Sequence, residues 1–120
     1  MGLFCVLRKK VVFLQKNKMN TQILENIRTL KRQLIPNEKL ILFGSQARGD
    51  ARPDSDWDLL LLLNNLQNKK DYEDKIFAFV LMGWEYGTYL SIMTYTEKEW
   101  EIRKPSLFYQ NVKNEGIEIQ

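Results

Sequence analysis

The chain has 120 residues, 18 Lys and Arg against 15 Asp and Glu for a formal charge of +3, and 44% hydrophobic residues. That is the size of one domain with enough apolar content for a core, which excludes general disorder, and no apolar run approaches the ~18 residues needed to span a membrane. The single cysteine, Cys5, excludes an internal disulfide, and the absence of histidine excludes histidine metal sites, Ser-His triads and imidazole acid–base catalysis, so any chemistry rests on carboxylates, hydroxyls, backbone amides or a bound ion.

The first 18 residues hold five basic groups (Arg8, Lys9, Lys10, Lys16 and Lys18) and no acid, which leaves 13 basic against 15 acidic groups, a net −2, in the rest. The basic character belongs to this leader, and the body offers no charge-based case for nucleic acid. Its charges follow the apolar Met1 to Val6 rather than precede it, unlike a secretory signal, and Val6 stands where a myristoylation motif has Ser or Thr. We read residues 1–18 as an N-terminal extension, with part of Val11 to Leu14 a candidate for packing on the body, and residues 19–120 as the domain. The expected location is cytoplasmic.

Residues 20–34 place Leu24, Ile27, Leu30 and Leu34 at helical spacing, and Pro36 and Asn37 end that helix. Leu40 to Phe43 reads as a buried strand entering a turn at Gly44-Ser45. Trp57 to Leu63, with five consecutive leucines, reads as a strand covered on both faces. Asp71 to Glu85 reads as a helix, apolar and largely buried from Ile76 to Met82, with Phe77 and Trp84 as core. Thr88 to Tyr95 reads as a third strand. Thr96 and Glu99 form a capping box for a short helix through Arg103. Pro105 starts the last helix, with Leu107, Phe108 and Val112 inward, and Trp100 with Phe108 and Tyr109 is a candidate partner surface. The order of elements predicts a small α/β or α+β domain.

Leu42 to Leu63, LFGSQARGDARPDSDWDLLLLL, carries the chemistry. Gly44 lets backbone approach a ligand closely, and a turn at Ser45 opening a short helix favours an anion such as phosphate. After ten intervening residues, Asp56 and Asp58 flank Trp57 at a strand start, so the period of two puts both carboxylates on one face and Trp57 on the other, towards the core. Adjacent carboxylates repel unless a cation sits between them, and such hard oxygen ligands suit Mg²⁺ completed by substrate phosphate oxygens. Arg48 is read as a donor to triphosphate oxygens, and Arg52, Asp50 and Asp54 as solvated loop charges. The pattern describes phosphoryl or nucleotidyl transfer.

Gly44, Ser45, Asp56 and Asp58, with Ala47, Arg48, Gly49, Pro53 and Ser55 around them, resemble the minimal nucleotidyltransferases (MNT proteins) of the DNA polymerase beta superfamily. The resemblance implies a small mixed sheet flanked by helices and a site for an NTP, ATP in preference, with Mg²⁺ or Mn²⁺. It implies transfer of a nucleoside monophosphate, AMP above all, to a protein hydroxyl. It also implies a role as the MNT antitoxin of a HEPN/MNT toxin–antitoxin pair, with a HEPN-type toxin as partner. A homo-oligomer is compatible with it.

The family's third carboxylate lies on a later strand. The matching strand here contains no acid, and Ser91 stands in that position, with Glu85 able to substitute only if its loop folds back. Serine is neither an efficient base at neutral pH nor a good metal ligand. The site is therefore slow, or binds NTP and Mg²⁺ without turnover, or passes the proton to solvent. The alternative function is an impaired nucleotidyltransferase-like module that neutralises a partner by contact. A small-molecule nucleotidyltransferase ranks last.

Overall fold

A computed structural model describes residues 20–64 and 69–120. The extension at 1–18 and the packing of Val11 to Leu14 lie outside the described residues. Helix α1 covers residues 20–34, as its periodicity predicts. It is followed by β1 (Lys39–Phe43), α2 (Ser45–Arg48), β2 (Trp57–Leu63), α3 (Lys69–Glu85), β3 (Leu90–Thr96), α4 (Glu97–Ile102), α5 (Leu107–Glu115) and β4 (Ile117–Ile119).

The four strands form one mixed sheet in the order β3-β2-β1-β4. β1 runs antiparallel to both β2 and β4, while β2 and β3 are parallel, joined by the α3 crossover that a parallel pair requires. β2 is central, and its leucines are covered on both faces. Trp57, Leu59, Leu61 and Leu63 pack with Ile23 and Ile27 of α1 and Phe79 of α3. Leu60 and Leu62 pack on the opposite face with Trp100 of α4 and Val112 of α5. The result is an α+β architecture of helices on both faces of a small sheet.

Several side chains fall elsewhere than expected. The apolar run of α3 is not largely buried: Phe79 is enclosed, but Phe77 and Trp84 are 53% and 56% exposed and Leu81 is exposed beside them. A helix lays one stripe on a sheet, and a continuous apolar run necessarily continues round to the outside. Leu107 is 75% exposed, because α5 begins at the Ser106 cap, whose Oγ accepts from the Tyr109 N–H, and that phase turns Phe108 and Val112 inward instead. Trp100 is not a partner surface. It is buried at the centre of an aromatic cluster, edge-on to Phe108 at 5.6 Å and tilted over Tyr109 at 4.8 Å. This cluster fixes α4 and α5 on the sheet. The expected Thr96–Glu99 capping box is present.

Candidate functional site

β1 ends at Phe43 and the chain turns at Gly44 with φ 76° and ψ −158°, a region open essentially to glycine alone. A Cβ at this position would collide with the Asp58 carboxylate, so the absent side chain is what allows β1's end and that carboxylate to meet. The single turn of α2 follows, with the Ala47 and Arg48 N–H groups donating to the Gly44 carbonyl at 3.1 and 3.0 Å. Ser45 is its first residue and Arg48 its last, before Gly49 ends it in the left-handed region. Four residues carry little dipole, so the anion preference of this corner rests on the Gly44 N–H and the Arg48 guanidinium.

The loop returning to β2 is tied to α2 by Gln46 Nε2, which donates to the Ser55 carbonyl at 3.4 Å, and closed by the Arg52 N–H donating to Ser55 Oγ at 2.8 Å. It delivers Asp56, exposed, just ahead of β2. The Trp57 N–H donates to the Tyr89 carbonyl at 2.9 Å, pinning the start of β2 beside the start of β3. Trp57 is buried in the core as expected, and the alternation turns Asp58 to the other face. Asp58 lies opposite Phe43 on one side and in register with Ser91 on the other.

Asp58 is half-buried, and burial pushes its carboxyl above the ordinary aspartate range. Repulsion from Asp56 and, more weakly, from Glu115 pushes the same way, while Arg48 opposes. Two carboxylates are thus held together at one sheet corner at an electrostatic cost that a cation would relieve.

Sequence reasoning did not find Glu115. It is the last residue of α5, and the β1–β4 pairing of Leu42 with Ile117 brings it opposite Gly44. Its Oε1 accepts from the Gly44 N–H at 3.2 Å and its Oε2 from Arg48 Nη1 at 3.1 Å, while Arg48 Nε donates to Asp50 at 3.2 Å. The contact joins residues 71 positions apart, and nothing local marks it.

The structure therefore gathers Gly44, Ser45, Arg48, Asp56, Asp58 and Ser91 at one end of the sheet. Glu85 is not among them; it lines a separate groove between α1 and α3 with Asn26, Thr29 and Met82. A shallow groove of about 430 Å³ opens beside Asp56, walled by Asp54, Trp84, Thr88 and Tyr89. A similar groove at Lys39, Leu62 and Glu97 lies at the opposite end of β2, away from the carboxylates.

Among the described residues no group of three or more His, Cys, Asp or Glu side chains is placed to hold a metal ion. The donor set is two carboxylates at an open corner, one of them pushed up by burial and by its neighbour. That set fits Mg²⁺ or Mn²⁺ completed by substrate oxygens better than an all-protein ion site.

The family model of the nucleotidyltransferase domain matches residues 21–118, and the chain belongs to that family. The fold is similar to that of a crystal structure from Sulfolobus solfataricus, a protein provisionally assigned as a nucleotidyltransferase. The TM-score is 0.54 and the identity 19%, over 86% of this chain and 84% of that one. A search of curated proteins returned no match. The class is thus one whose general chemistry is nucleotidyl transfer, carried on a four-stranded mixed sheet. Among the described residues no helix is long and apolar enough to cross a membrane.

Proposed function

We propose that the chain binds an NTP, ATP by preference, with Mg²⁺ or Mn²⁺, and transfers AMP to a hydroxyl of a partner protein as the MNT antitoxin of a HEPN/MNT pair. The observation that carries the site is the meeting of an oxyanion cradle, Gly44 N–H and Arg48, with the Asp56 and Asp58 pair at one sheet corner. The HEPN pairing rests on the likeness of GSQARGDARPDSDWDLL to MNT proteins.

In this reading Asp56 and Asp58 hold the ion, which when bound supplies neutralisation of phosphate charge. The Gly44 N–H and Arg48 hold the terminal phosphates, with Ser45 beside them. In-line displacement puts the acceptor hydroxyl opposite the departing pyrophosphate, so with the terminal phosphates at Gly44 and Arg48 this reading brings the acceptor in from the β3 side. The groove between Asp56 and the exposed Trp84 and Tyr89 leaves room there for a protein side chain. The acceptor oxygen bonds to the α-phosphorus, the bond to the β-phosphate oxygen breaks, and the hydroxyl proton passes to water because Ser91 is no base.

The register of Ser91 with Asp58 favours a second reading, a module that binds nucleotide or partner and neutralises by contact. Incubating the chain with a candidate HEPN-type partner, metal and each α-phosphate-labelled NTP separates the two. Label in the partner from ATP, lost in Asp56→Asn and Asp58→Asn, supports transfer. Tight association without label supports the contact reading. If the missing acid is what limits the rate, Ser91→Asp raises incorporation.

A further inference from the structure

We infer that the Glu115 carboxylate is a built-in occupant of the phosphate cradle, which a polyphosphate must displace and whose hold sets the affinity of the site. This rests on the reading of Gly44 and Arg48 as the phosphate donors.

The geometry is that of a bound oxyanion. One backbone N–H and one guanidinium, from the two ends of the α2 turn, converge on the two oxygens of a single carboxylate, at 3.2 and 3.1 Å. Charge-assisted donors spaced for a carboxylate suit two oxygens of a phosphate equally. Glu115 is also in an unfavourable place for an acid. It stands at the C-terminus of α5, where the helix dipole disfavours negative charge, and it adds to the negative field at Asp58. Its seat depends on the same two donors that a phosphate would take.

Release needs no movement of the fold. The backbone on either side is fixed, because the Gly116 N–H donates to the Val112 carbonyl at 2.7 Å and Ile117 is already in register with Leu42. The side chain alone can rotate away, from a position where it is 21% exposed beside an Arg48 side chain that is 46% exposed. A tethered carboxylate competes at an effective concentration on the order of millimolar. It therefore keeps weak monoanions out and yields to a ligand of higher charge. If the cradle is vacant about one tenth of the time, apparent affinity is ~10-fold below intrinsic affinity.

Calorimetric titration of wild type, Glu115→Gln, Glu115→Ala and Arg48→Ala with inorganic tripolyphosphate and with ATP, each with Mg²⁺, tests this. Both Glu115 variants should bind both ligands about 10-fold tighter than wild type, and Arg48→Ala more weakly. Unchanged circular dichroism checks the fold, and the isosteric Gln variant stands if Ala perturbs it. Wild-type binding that needs Arg48 but is unchanged or weakened in Glu115→Gln overturns the displacement while leaving the phosphate cradle in place. Absence of binding in every form overturns both.

Discussion

The two faces of β2 are built from one run of seven residues and finish differently. On the α1 and α3 face, Leu63, Leu61, Leu59 and Trp57 continue the core to the end of the strand. On the α4 and α5 face, Leu62 and Leu60 do the same, and then Asp58 takes the place of a hydrophobe at the end where Trp57 closes the other side. Around Asp58 the packing gives way to Gly44, Arg48, Ser91 and Glu115. One face maximises burial. The other gives up its last layer to gather charge, which lowers stability locally and is a mark of a working site.

The largest contrast should come from truncating each face. Leu61→Ala, in the closed core, should cost ~2–5 kcal/mol and lower the melting temperature by about 10 °C or more, with ligand affinity falling only as the fold is lost. Comparable stability in the variant would deny that this face is the structural one.

Gly44→Ala strikes where the faces meet. The added Cβ meets the Asp58 carboxylate and is forced into a conformation reserved for glycine, so about 1–3 kcal/mol should be lost together with nucleotide binding. Thermal melts and calorimetry on the same sample check that both fall.

The smallest effect has the opposite sign. Burial and Asp56 raise the Asp58 carboxyl in the folded state above its unfolded value, so its ionisation opposes folding. That opposition is fully present above the raised folded pKa and disappears as pH falls through it. Asp58→Asn without ligand should therefore melt above wild type at neutral pH, and the gap should close on acidification. A wild type more stable than the variant at neutral pH would show that Asp58 does not weaken this face.

Much of this was legible in the residues. The helix at 20–34 showed in its apolar spacing, and β2 showed because five leucines between polar segments are too short for a helix. Gly44, Ser45, Asp56 and Asp58 lie within one short stretch whose period of two sets the direction of each carboxylate. β4 was not legible: Ile117–Ile119 has three residues and becomes a strand only because β1 offers an edge. The outward Phe77, Leu81 and Trp84 were hidden because an apolar run does not say which stripe meets the sheet. Glu115 was hidden because its role comes from a pairing 71 residues long in sequence separation.

In the proposed function the open face of β2 binds a nucleotide through its carboxylates. Calorimetric titration of wild type and Asp58→Asn with ATP, with and without Mg²⁺, tests it most directly. Wild type should bind ATP in a Mg²⁺-dependent way, and a fully folded Asp58→Asn should bind it ~10–100-fold more weakly. Equal binding by the two proteins would contradict it.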